Sequence, residues 1–133
     1  MLTTAISFPG NCNEAIAFYK EAIGAEVKDI AYFRDAPPNS GMDESLPPDF
    51  VMHSEVSIFG TVVAMTDGAE KRATGDNFSF MITLNSAEEV TTVFNKLAAG
   101  GQVIEAPAPQ FWSSWYGVCE DRYGVNWSVM TNN

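Results

Sequence analysis

Apolar residues at Ala15, Ile16, Phe18, Tyr19, Ala22 and Ile23 recur at the three-and-four spacing of a helix, so Asn11 to Ile23 is predicted helical with one buried face. Asn11 with Glu14 three residues on forms a capping-box pattern that marks its start. The same design returns downstream. Ser86 precedes Glu89 by three residues, Val90, Val93, Phe94, Leu97 and Ala98 supply the stripe, and Gly100-Gly101 supply the C-cap. The flanks repeat as well, since the strand-like runs Thr4 to Phe8 and Ser79 to Leu84 precede the two helices, about 75 residues apart. Further β-rich runs, Glu26 to Phe33 and Gln102 to Ile104, follow the helices. Each half closes on a hairpin with an aromatic-Gly turn, Phe59-Gly60 and Tyr123-Gly124. Each half therefore reads strand, helix, strand, strand, strand.

This organisation implies one domain over 1–133, with module one at 1–67, a polar linker at 68–77 and module two at 78–133. The irregular stretch Asp35 to Asp49 holds four of the prolines and is expected to be a surface loop, either a lid or a mobile insertion.

Charge and cysteine content narrow the function classes. Seventeen acidic against seven basic residues give a formal charge of −10, which repels phosphate backbones and anionic membrane surfaces, so neither nucleic acid nor membrane is expected as a partner. No apolar run approaches spanning length and no signal-like segment opens the chain, so a cytoplasmic location is expected. Two cysteines, Cys12 and Cys119, lack the spacing of a zinc site or a disulfide framework. Cys12 at a helix start could be a lowered-pKa thiol, but a small buried residue is the commoner role and is the reading taken. No G-x-G-x-x-G loop, G-x-S-x-G elbow or Cys-His pair is present, so no nucleotide, methyl-donor or other cofactor is expected.

The run Phe8-Pro9-Gly10-Asn11-Cys12-Asn13-Glu14-Ala15, with Phe18-Tyr19 and Gly24-Ala25-Glu26, resembles the amino-terminal signature of the PhnB-like branch of the vicinal oxygen chelate superfamily, which includes glyoxalases, bleomycin-resistance proteins and dioxygenases. Phe111-Trp112 and Asp121-Arg122-Tyr123-Gly124-Val125-Asn126-Trp127 resemble its carboxy-terminal signature. The resemblance implies an α+β fold of two tandem βαβββ modules, forming an open, curled mixed sheet with helices on the convex side and a ligand cavity on the concave side. It also implies a homodimer.

Strand alternation then assigns faces. His53, Glu55 and Ser57 should line the cavity, with Ser54, Val56 and Ile58 behind them; Val125, Trp127 and Val129 should pack on a helix, with Asn126, Ser128 and Met130 opposite. Met81 shares the cavity face with Ser79, and Met65 points at a helix. Metal-dependent relatives place ligands on the first and last strand of each module, and those positions match Thr4, Ala64, Ser79 and Ser128 here. None is an imidazole or carboxylate donor, so no metal is expected.

His53, the only histidine, and Glu55 could act as a base and its coupled acid, with ordinary hydrogen-bonded structure as the alternative. Phe111, Trp112, Trp115 and Tyr116 offer stacking surface in a loop leading to a cavity strand, with core packing as the alternative. Ligand binding is thus assigned to His53, Glu55, Ser57, Ala64, Ser79, Met81, Trp112, Trp115 and Ser128. The expected function is metal-independent binding of a small apolar or aromatic molecule. The alternatives are a metal-independent isomerase or lyase using His53 and Glu55, and a structural protein with no active pocket.

Overall fold

The computed structural model describes residues 1–38, 46–68, 75 and 77–133. Its backbone separates into two compact units, Met1–Arg72 and Ala73–Asn133. The first contains β1 (Thr4–Phe8), α1 (Cys12–Ile23), β2 (Glu26–Tyr32), β3 (Val51–Ile58) and β4 (Thr61–Asp67). The second contains β5 (Phe80–Leu84), α2 (Ala87–Ala98), β6 (Gln102–Gln110), β7 (Ser113–Glu120) and β8 (Asn126–Thr131). The sheets are ordered β1-β4-β3-β2 and β5-β8-β7-β6, with the first and last strand of each unit parallel and the other neighbours antiparallel. Both units are βαβββ modules, as the repeated pattern predicts.

Helix α1 buries Cys12, Ala15, Ile16, Tyr19, Ala22 and Ile23, the stripe read from the sequence with Phe18 left at its margin. Its capping box is not formed. Asn11 occupies the N-cap without a side-chain bond, and the N–H of the first helical residue, Cys12, donates to Asp67 Oδ1 (2.9 Å). The other oxygen, Asp67 Oδ2, accepts the Val51 N–H (2.8 Å). One buried carboxylate at the end of β4 thereby caps α1 and ties down β3, and its charge suits a helix N-terminus. The cap of α2 forms as predicted, with the Glu89 N–H donating to Ser86 Oγ (3.1 Å). Buried Val90, Phe94 and Leu97 face the second sheet.

The turn joining β3 to β4 has positive φ at Phe59 (49°) and Gly60 (82°), the geometry of a tight hairpin whose twist matches its strands. Strand β6 runs to Gln110, well beyond the predicted Ile104. Pro107 and Pro109 lie within it, and they are tolerated because β6 is the edge of its sheet, where a missing N–H breaks no ladder on the open side. The expected loop Asp35 to Asp49 is anchored at its base by Phe33 N–H to Phe50 O and Arg34 N–H to Pro48 O (both 3.0 Å). Its lid-or-insertion question concerns residues 39–45, which lie outside the described residues, as does most of the expected linker.

Candidate functional site

Each sheet has one face against its helix and one face without a helix. In the first unit Val63 and Met65 of β4 and Ser54, Val56 and Ile58 of β3 are buried on the side of α1. The opposite parity carries His53, Glu55 and Ser57 on β3 and Ala64 on β4, as alternation predicts. The ladder continues this face through Asp29, paired with Glu55, and Ala5, paired with Ala64. Thr4 does not belong to it. Thr4 pairs with buried Val63 and therefore shares the helix side, so the sequence-based match of Thr4 to a ligand position has the wrong parity. His53 Nε2 lies 3.9 Å from Glu55 Oε1, with both side chains about half exposed. That separation is too long for a hydrogen bond.

In the second unit the helix side holds Trp127, Val129 and Cys119. The indole N–H of Trp127 donates to Asp121 Oδ2 (2.8 Å), a buried carboxylate whose other oxygen accepts the Tyr123 and Val125 N–H groups. The helix-free parity holds Tyr116 and Val118 on β7, Ser128 and Met130 on β8, and Met81 on β5. Ser79 joins them, its Oγ 3.5 Å from Ser128 Oγ. Met81 is 64% exposed.

The aromatic residues divide between the faces. Phe111 and Trp112 form the two-residue turn of the β6–β7 hairpin, and Trp115 and Tyr116 lie within β7 rather than in a loop. The Trp115 indole N–H donates to Thr91 Oγ1 on α2 (2.9 Å), and a Cβ on Gly117 would meet the Phe94 ring of α2 at 3.0 Å. Trp115 and Gly117 thus share the helix side, which corrects the expectation that Trp115 faces a cavity. Tyr116, between them, faces the other way. Its ring stands edge-to-face with Trp112 (centroids 5.4 Å), and Trp112 stands edge-to-face with Phe111 (4.7 Å). Phe111 is 97% exposed and Trp112 47%. Tyr116 is the residue the sequence assignment omitted. It stands in the stacking cluster named from the sequence, but its odd-even parity against Trp115 and Gly117, which separates it from Trp115, goes unused when β7 is read as a loop.

Neither thiol is poised for chemistry. Burial, reinforced by nearby Asp67, pushes the Cys12 thiol up to about 12; burial, reinforced by Asp121, does the same to Cys119. Both are fully buried. A thiol held protonated near neutral pH is a poor nucleophile. Among the described residues no three His, Cys, Asp or Glu side chains converge as a metal site would require, and no helix is long and apolar enough to cross a membrane.

Residues 1–130 match the family model described as 3-demethylubiquinone-9 3-methyltransferase. The chain is 30% identical to Protein YjdN of Escherichia coli strain K12, over 96% of this chain and 92% of that protein. A solved structure from Bacillus cereus, described as a putative 3-demethylubiquinone-9 3-methyltransferase, PhnB protein, superposes with a TM-score of 0.82 at 25% identity, covering 98% of each chain. The fosfomycin resistance protein FosX of Listeria monocytogenes shares the fold at 12% identity, with a TM-score of 0.68 over 100% of this chain and 93% of that one. A FosX mutant has been solved with manganese(II) and a dihydroxypropylphosphonic acid. With two βαβββ modules and a glyoxalase/bleomycin resistance-like fold, this chain belongs to the PhnB-like 3-demethylubiquinone-9 3-methyltransferase family of the vicinal oxygen chelate superfamily.

Proposed function

We propose that this protein binds a small apolar or aromatic molecule on the helix-free side of its sheets, without a metal ion, and acts in the cytoplasm as a homodimer. The observation that carries this reading is the Phe111–Trp112–Tyr116 chain of rings, which leaves aromatic surface exposed on the face where Tyr116 pairs with Met130. Aromatic surface left in water costs free energy that a planar guest recovers on stacking.

The donor set argues against the superfamily's metal. Ser79 and Ser128 offer neutral hydroxyls, Ala64 offers no donor, and Thr4 has the wrong parity. Neutral hydroxyls do not offset the cost of desolvating a divalent cation as imidazole and carboxylate do. The family description names a methyl transfer, but the chain has no glycine-rich turn of the kind that commonly holds a nucleotide-based methyl donor. Proton transfer by His53 and Glu55 is the second reading, supported by their shared face but opposed by the 3.9 Å gap.

The test is calorimetric titration with 2-naphthol as a neutral aromatic probe, alongside zinc and manganese. Saturable 2-naphthol binding that Trp112→Ala reduces at least fivefold, with no stoichiometric metal uptake, is the expected result. Binding unchanged by Trp112→Ala, or one metal ion held per chain, overturns it.

A further inference from the structure

The helix-free side of the second sheet also carries a pattern of charge. Its four strands contain two ionisable side chains of fixed sign, Glu105 on β6 and Glu120 on β7, and no lysine or arginine. Both carboxylates have the parity of the aromatic residues. Glu105 pairs with Val118, and Glu120 lies two residues beyond Val118, with Tyr116 two residues before it. The sheet therefore runs along β7 from Trp112 and Tyr116, across Val118, to Glu120, with exposed Glu105 at its side.

The cations of this unit are committed elsewhere. Lys96 sits in the last turn of α2, and the Arg122 guanidinium donates to Ala99 O from Nε (3.1 Å) and Nη2 (2.9 Å) at the C-terminal end of that helix. No basic group described on these strands would receive an anionic group such as a phosphonate.

We infer that the molecule bound on this face is an organic cation with a planar aromatic part, its ring on Trp112 and Tyr116 and its positive charge toward Glu105 and Glu120. This rests on the ligand-binding reading above and adds the charge of the ligand to it. The spacing suits such a guest at Glu105, which lies diagonally from Tyr116 across the β6–β7 pair, close to the about 7–8 Å typical of such neighbours. Glu120, four residues along β7 and roughly 13 Å from Tyr116, adds longer-range attraction. The same rings favour a cation over a neutral guest, because the faces of Trp and Tyr carry negative potential. An anion meets repulsion from both carboxylates and from the ring faces.

Three planar aromatic probes of different charge separate the possibilities: proflavine as the cation, 2-naphthol as the neutral aromatic and 2-naphthalenesulfonate as the anion, with carboxylate variants separating charge from the larger stacking area of proflavine. Each is titrated into the full chain by calorimetry at low and at physiological salt. The expected order is proflavine over 2-naphthol by about tenfold at low salt, the effect of two partly screened carboxylates, with the sulfonate weakest. The double variant Glu105→Gln, Glu120→Gln should bring proflavine to within about threefold of 2-naphthol while leaving 2-naphthol binding unchanged. Glu88→Gln, which removes a charge from the first turn of α2, should leave the preference intact and so separates local recognition from the overall charge of −10. Should 2-naphthol bind through Trp112 with proflavine no tighter, or should Glu88→Gln act like the double variant, the cation assignment fails and the aromatic site stands. If no probe binds, both fail.

Discussion

Val63 and Met65 of β4 face α1 at ladder positions where β8 presents Trp127 and Val129 to α2. On the other side of the same strands, Ala64 lies between Ala5 and Glu55, whereas Ser128 lies between Met81 and Val118. One step along β3 stands His53, and at the matching place on β7 stands Tyr116. The two units thus differ by volume on the helix side and by chemistry on the helix-free side. A buried face constrains size and polarity, because cavities and unpaired polar atoms are costly there. The open face constrains neither, so one unit can carry a polar row containing Asp29, Glu55 and His53 while the other carries aromatic and thioether surface.

The largest effect should come from the helix side of the second unit. Trp127→Ala removes a fully buried indole and leaves Asp121 Oδ2 without the N–H it accepts, and a loss of about 3–5 kcal/mol is expected in urea unfolding. Val63→Ala, at the matched position of the first unit, should cost about 1–2 kcal/mol, since it deletes only two methyl groups. Equal losses would mean that the two helix sides are not organised by volume as described.

A second effect sets the buried thiols of the two units side by side. Cys12 and Cys119 are each raised from 9.0 to about 12. Below pH 9 both folded and unfolded chains hold these protons, and the thiols add no pH dependence. Between pH 9 and 12 the unfolded chain releases protons that the folded chain retains, so stability falls by roughly a kcal/mol per pH unit for each thiol. Cys12→Ala and Cys119→Ala should each make the alkaline decline of unfolding free energy shallower by a similar amount. If neither variant changes the slope, burial is not what holds these thiols protonated.

Much of this was legible in the chain itself, because alternation and helical spacing are direct consequences of burying one face. His53, Glu55 and Ser57 fall opposite Ser54, Val56 and Ile58 as period-two alternation requires, and Trp127 and Met65 are core. The misses were of a different kind. The Asn11 capping box does not form, and the N–H of Cys12 is satisfied by Asp67, 55 residues further along the chain, a partner that no local pattern announces. The run expected to end at Ile104 continues through Pro107 and Pro109 to Gln110 as an edge strand, and the loop expected after it takes in the start of β7. That misreading placed Trp115 and Tyr116 outside a strand, so alternation was never applied to them. Thr4 shows that a family motif transfers less securely than parity, since one step along β1 exchanges the helix side for the free side.

The smallest stability effect should sit where the largest binding effect is expected, and the tryptophans of the β6–β7 hairpin test this. Trp115→Ala loses an indole N–H bond to Thr91 and its packing on the helix side, and about 1–2 kcal/mol is the expected cost. Trp112→Ala removes a half-exposed ring at a turn that stands edge-to-face with Phe111 and Tyr116, so its cost should stay under about 1 kcal/mol. Binding of 2-naphthol should behave in the reverse order, falling at least fivefold in Trp112→Ala and within twofold of the parent chain in Trp115→Ala. His53→Ala, on the polar face of the first unit, should change neither quantity measurably if the aromatic shelf of the second unit holds the ligand. Parallel urea melts and titrations on the three variants decide it. A ligand lost with His53 and retained without Trp112 would move the site to the first unit and favour the proton-transfer reading.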